Sequence, residues 1–164
     1  MKVLLVLLIN VTLCLNATAQ KMKDYTIQIG INAPKEIVWK AITDFEAFPE
    51  WNSVLAMENN DSLVIGKEFN VTITQPNDKQ SNFTATALSK EEFSSFSARQ
   101  KILGKWFFQA THHFIIEETD QQTVTFTQKW ELTGLISSLF RKQIFKELEV
   151  FKTMNTELKV LVET

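Results

Sequence analysis

Residues 135–164 read LISSLFRKQIFKELEVFKTMNTELKVLVET, and their spacing decides the fold. From Phe140 the apolar side chains fall at Ile144, Leu148, Phe151, Met154, Leu158 and Leu161. Steps of three and four place them on one face of an α-helix. Arg141, Lys142, Lys146, Glu149, Lys152, Glu157 and Lys159 occupy the opposite face. No Gly or Pro follows Gly134, so the spacing predicts one uninterrupted helix of roughly 35–40 Å. Such a helix needs a broad apolar surface to lie on, and the preceding chain should supply it.

That surface is legible as alternation. Tyr25, Ile27, Ile29 and Ile31 alternate with polar or small residues, the pattern of a half-buried strand. Asn32-Ala33-Pro34 then starts a short helix whose apolar face is Val38, Ala41, Ile42 and Phe45. Asp44 can cap a second short turn through Glu50, ending near Trp51. Strand-like runs follow at Val54–Glu58, Phe69–Ile73, Asn82–Leu88, Glu92–Ile102, Trp106–Glu117 and Thr123–Thr133. Asn59-Asn60-Asp61, Pro76-Asn77-Asp78 and Asp120-Gln121-Gln122 read as turns between them. The expected class is α+β, with a curved antiparallel sheet of about seven strands. Two short helices follow its first strand, and the long C-terminal helix covers one face. A straight helix on a curling sheet leaves space between them, the physical basis for a binding cavity.

Composition narrows the function. The 164 residues carry a formal net charge of −2 and show no basic stripe, which argues against a nucleic-acid partner. Thirteen Phe and four Trp point to an interior or cavity rich in aromatic rings. The first residues read as a leader: Lys2, an apolar run from Val3 to Leu15, then Ala17-Thr18-Ala19 before Gln20. The run is short for a membrane span and is interrupted by Asn10 and Thr12. Leu13 before Cys14 does not suit a lipid-attachment signal. The expectation is a signal peptide over residues 1–19 and one exported domain over 20–164, periplasmic or extracellular. Cys14 leaves with the leader, so the mature chain offers no disulfide or thiolate chemistry. Asn60-Asp61-Ser62, Asn70-Val71-Thr72 and Asn82-Phe83-Thr84 match the glycosylation pattern, which matters only in a eukaryotic source.

Several short stretches carry a resemblance. They are Ile31-Asn32-Ala33-Pro34, Val38-Trp39, Thr43-Asp44-Phe45 and Phe48-Pro49-Glu50-Trp51-Asn52. His112-His113-Phe114, Thr127-Gln128, Leu132-Thr133-Gly134-Leu135 and Met154-Asn155-Thr156-Glu157-Leu158-Lys159 add to them. From Tyr25 onward the chain resembles the SRPBCC superfamily of START-like and birch-pollen-allergen-like proteins, in its polyketide cyclase/dehydratase-like branch. The resemblance implies a helix-grip fold and a cavity for a small hydrophobic ligand. Members of that branch often carry an acid where Trp130 stands here, beside Glu131.

The chemistry is weighed residue by residue. His112 and His113 are the only histidines, and neighbours on a strand face opposite sides. His112 shares a face with Trp106, Phe108, Ala110, Phe114 and Ile116, taken as the inner one. On the next strand Phe126, Gln128, Trp130 and Leu132 share a face, which brings Gln128 within reach of His112. Such a pair could orient a polar head group, or could be two buried groups satisfying each other. Two diverging histidines without a mature cysteine argue against a metal site. No Gly-x-Ser-x-Gly elbow or Gly-rich phosphate loop is present, and no cofactor is expected. Glu91-Glu92 and Glu117-Glu118 read as solvated. Trp39 and Trp51 pack the short helices, with the Trp51-Asn52 loop at the border of the cavity entrance.

The expected function is an exported binding protein holding a lipid or aromatic metabolite. Phe108, His112, Phe114, Phe126, Gln128 and Trp130 would line the sheet side, with Phe151 and Met154 on the helix. Leu158 and Leu161 would pack at one end, and Leu135 to Phe140 would border an entrance. One alternative is a cyclase or dehydratase with His112 as general acid/base. Another is an interaction domain with a closed cavity.

Overall fold

The computed structural model describes residues 23–57 and 63–164. The leader and the turn expected at Asn59-Asn60-Asp61 lie outside the described residues.

The chain runs β1 (Lys23–Ile31), α1 (Lys35–Thr43), α2 (Phe48–Trp51), β2 (Leu55–Met57), β3 (Glu68–Thr74), β4 (Gln80–Glu91), β5 (Ser95–Ile102), β6 (Phe108–Asp120) and β7 (Thr123–Thr133). It ends in α3 (Leu135–Leu139), α4 (Arg141–Leu148) and α5 (Phe151–Glu163). The seven strands form one sheet in the order β1-β7-β6-β5-β4-β3-β2. Every pairing is antiparallel. Strands β2 to β7 follow one another as a meander, while β1 closes against β7. The two short helices therefore carry the chain from one edge of the sheet to the other. Register breaks between Ala87 and Ser89 and between Glu118 and Asp120 accentuate the curl.

The alternation in β1 resolves as read: Ile27 and Ile31 are buried, and Thr26, Gln28 and Gly30 are exposed. Helix α1 turns Val38, Trp39 and Ile42 inward. Trp39 meets Phe96 of β5 edge-on, and Phe45 packs on Phe48 and Phe96. Asn52 accepts from the N–H groups of Val54 and Leu55 (2.9 and 3.1 Å) and donates to the Leu55 carbonyl (2.9 Å). It thereby fixes the turn into β2, and neither it nor Trp51 borders the cavity.

Two strand starts differ from the reading. Strand β6 begins at Phe108, not Trp106. Leu103 and Gly104 take left-handed backbone angles (φ 51° and 87°), and the N–H groups of Phe107 and Phe108 both fold back on the Gly104 carbonyl. Trp106 consequently sits on a turn with 67% of its surface exposed, off the inner face. Strand β5 begins at Ser95, because Phe93 turns the hairpin at φ 60°.

The closing segment is helical but not straight. Gly134 has φ 100°, and a Cβ there would lie 2.5 Å from the Phe107 carbonyl oxygen. The N–H groups of Leu135 and Ile136 bond the Trp106 and Phe107 carbonyls at 3.0 Å each, so the β5–β6 turn sets the direction of α3. The chain leaves helical geometry at Phe140 (φ −110°, ψ 18°). From Arg141 to Glu163 it forms the long C-terminal helix with one tightened joint. Glu149 and Val150 keep helical angles, but Lys152 and Thr153 bond three residues back (3.0 and 2.9 Å). Beyond the joint Phe151, Met154, Asn155 and Leu158 are buried. The stripe continues through Val162, leaving Leu161 on the flank and 42% exposed instead of packed.

Candidate functional site

Helix α5 packs directly on β1 and α1, whereas α4 meets the sheet at its margin, through Phe145 against Tyr25 of β1. None of the α4 residues is fully buried. The space beneath it is a cavity of about 360 Å³ between α4 and the inner face of β2 to β7. Its size falls in the range of small-molecule sites, on the order of 300–1,000 Å³. Phe69, Val71, Phe83, Ala98, Ala110 and Leu132 form its sheet wall; Ile136, Ile144, Leu148 and Phe151 form its helical roof. Polar groups at its border are Gln75, Ser81, Gln100, His112 and Glu147.

Of the residues singled out from sequence, Phe108, His112, Phe114, Trp130 and Phe151 line this space. Phe126, Gln128 and Met154 do not. Phe126 and Gln128 share the inner face of β7 but lie under α5, to which Met154 belongs; there sheet and helix touch without a gap, and each of the three has essentially no exposed surface. Alternation along a strand gives the face a side chain is on; it does not tell which part of that face the helix covers. Phe69, Ile73 and Phe83 also line the cavity, on its β3–β4 side, where the alternation of apolar residues is the same as that of a filled core.

His112 stands where packed core gives way to cavity. Its ring stacks on Trp130 (centroids 4.1 Å apart, planes 22° from parallel) and leans on Phe114 at 4.0 Å, with Phe151 edge-on at 5.3 Å. Its Nε2 lies 2.9 Å from Oε1 of Gln128, and Nε2 of Gln128 donates to Oδ1 of Asn155 at 2.6 Å. A carboxamide that gives its N–H to Asn155 presents only its carbonyl to the imidazole. His112 must therefore carry its proton on Nε2, which leaves Nδ1 as an acceptor. Burial holds its pKa well below the usual imidazole value; the Gln128 bond only partly offsets this, and neighbouring His113 reinforces it. The ring is thus neutral. Asn155 carried no signal of its own, since a lone Asn on a helix reads as surface until the tertiary fold buries it.

His113 points to the other face of the sheet, 3.6 Å from Glu131. Glu131 is held mainly by Lys129 (2.8 Å), which lowers its pKa. The carboxylate beside Trp130 therefore does not face the cavity. Glu91, Glu92, Glu117 and Glu118 are exposed. At the margin of α4, Tyr25 donates to Glu149 and its ring packs on Phe145 at 4.9 Å. Burial, then the bond to and charge of Glu149, push the Tyr25 pKa up to about 12. Among the described residues no group of three or more His, Cys, Asp or Glu could hold a metal ion, and no helix is long and apolar enough to cross a membrane.

Comparison with known proteins agrees with this architecture. Norcoclaurine synthase from Thalictrum flavum, in a complex with a transition-state analogue, superposes with a TM-score of 0.65 at 10% identity, covering 86% of this chain and 94% of that one. A START superfamily protein from Mycobacterium smegmatis gives 0.63 at 14% identity, covering 85% and 97%. The di-domain ARO/CYC protein StfQ of the steffimycin biosynthetic pathway gives 0.59 at 13% identity, over 87% of this chain and 51% of that one. At these identities the likeness is one of fold. No curated protein matches the sequence significantly. The family model described as polyketide cyclase / dehydrase and lipid transport matches residues 22–154. The chain belongs to that family.

Proposed function

We propose that the protein is an exported carrier or sensor that holds one small, mainly apolar molecule in the cavity under α4. The observation that carries this reading is the oriented acceptor of His112, set where the packed core opens into a mainly apolar cavity of about 360 Å³. Apolar burial would supply the affinity, and Nδ1 of His112 would accept one hydrogen bond from a hydroxyl or N–H on the ligand. The leader-like first residues support export.

Turnover is the second reading, favoured by the same ring, since a neutral imidazole with a free Nδ1 can take a proton. Against it, the burial that keeps His112 neutral also disfavours the imidazolium that proton transfer would create. Among the described residues no carboxylate bonds the ring to stabilise that charge; its partner is the uncharged Gln128. Binding is therefore the better-supported function.

Native mass spectrometry of the purified protein, followed by solvent extraction, tests this. A bound apolar species is expected, displaced or weakened about tenfold in His112→Phe, which keeps the ring stack and removes the acceptor. An empty protein that shows no thermal shift across lipids and aromatic metabolites would overturn it.

A further inference from the structure

Twelve large apolar side chains are exposed among the described residues, and six of them gather at one end of the cavity. Leu103 (72%), Trp106 (67%) and Ile102 (46%) belong to β5 and its turn into β6; Leu139 (67%), Phe140 (54%) and Leu135 (50%) belong to α3 and its end. The bonds from Leu135 and Ile136 to the Trp106 and Phe107 carbonyls hold the two segments side by side. Ile102, Phe107 and Ile136 from the same segments line the cavity, so the patch is the outer rim of the binding space. A leucine at φ 51° with most of its surface in water is unfavourable both in backbone conformation and in solvation.

Charge identifies the occupant. The chain as a whole is acidic, yet residues 93–116 and 132–146 contain no Asp or Glu. They contribute Lys101, Lys105, Arg141, Lys142 and Lys146, none of which forms an ion pair among the described residues. Asp24 and Glu131, near the same end of the sheet, are both held by Lys129. An apolar rim fringed by free cations matches an interface of acyl chains and anionic head groups.

We propose that this rim docks on the surface of an anionic phospholipid membrane, bringing the end of the cavity against the lipid. Leu103, Trp106, Leu139 and Phe140 would enter the head-group boundary, with the lysines and Arg141 on lipid phosphates. The docking is independent of which molecule the cavity holds.

Co-sedimentation of the purified full-length chain with mixed phosphatidylcholine–phosphatidylglycerol vesicles, against pure phosphatidylcholine, is the test. Binding to the mixed vesicles is expected, with blue-shifted emission from Trp106. The double variant Trp106→Ser/Leu139→Ser should weaken it at least about tenfold. Lys105→Gln/Lys142→Gln should weaken it roughly fivefold per charge. Both variants change exposed residues and should keep the wild-type melting temperature. Absence of binding to the mixed vesicles, binding that survives both variants, or pairing of two copies through the rim in place of vesicle binding would each overturn the proposal.

Discussion

Nε2 of Gln128 donates to Oδ1 of Asn155 at 2.6 Å, joining the centre of β7 to α5 inside the packed half of the molecule. The bond fixes which end of the carboxamide meets His112 and therefore which imidazole nitrogen is free. Asn155→Leu strands the buried Gln128 N–H, and chemical denaturation should show a loss of about 1–3 kcal/mol. The same variant should weaken ligand binding although residue 155 does not line the cavity, because Gln128 is then free to turn.

His112 should remain neutral with its proton on Nε2, a state visible in the ¹⁵N shifts of the imidazole. Its depressed pKa also has a stability consequence. Below the ordinary value of 6.5 the unfolded chain takes up a proton that the folded chain refuses. The contribution of His112 is whole above pH 6.5 and is lost as pH falls, at up to about 1.4 kcal/mol per pH unit. In His112→Gln the acid limb of a stability-versus-pH curve should flatten. An unchanged limb would show that other groups set it.

Tyr25 is the only tyrosine, so an ultraviolet titration reads it alone. It should ionise near pH 12 in the folded protein instead of near 10. Glu149→Gln should lower that value part of the way, because burial is the larger cause. The raised pKa contributes stability that is whole below pH 10 and is lost as pH rises from there toward 12.

Gly134 cannot accept a side chain. Its φ of 100° and the 2.5 Å approach to the Phe107 oxygen mean that Gly134→Ala must displace α3 from the β5–β6 turn. A loss of about 1–3 kcal/mol is expected, measured by urea unfolding. If this junction shapes the cavity rim, hydrogen exchange at Leu135 and Ile136 should speed up as their bonds to the turn break.

Ala110 tests whether the cavity is used or is simply unfilled core. Ala110→Phe places a ring in the space bounded by His112, Leu132 and Ile136. In a tightly packed core such an enlargement costs about 1–3 kcal/mol. Here the melting temperature should hold or rise while binding is abolished.

Periodicity alone determined the sheet, its meander, the two early helices and the helical C-terminus, because alternation and the three-to-four spacing are local properties of a chain with one buried face. It also brought His112 and Gln128 together, since cross-strand register follows from a short hairpin. What the local pattern could not carry was where the helix bends. Phe140 and the joint at Glu149 and Val150 carry no Gly or Pro; the breaks come from α3 being tied to Phe107 and from α5 being packed on β1. Those breaks leave α4 meeting the sheet at its margin, through Phe145 on Tyr25, with the cavity beneath. They decide that Phe126, Gln128 and Met154 are packed core, that Phe69 and Phe83 face a cavity, and that Trp106 stands in solvent. A stripe of apolar residues specifies a buried face, but the division of that face between contact and void belongs to the geometry of the two layers it joins.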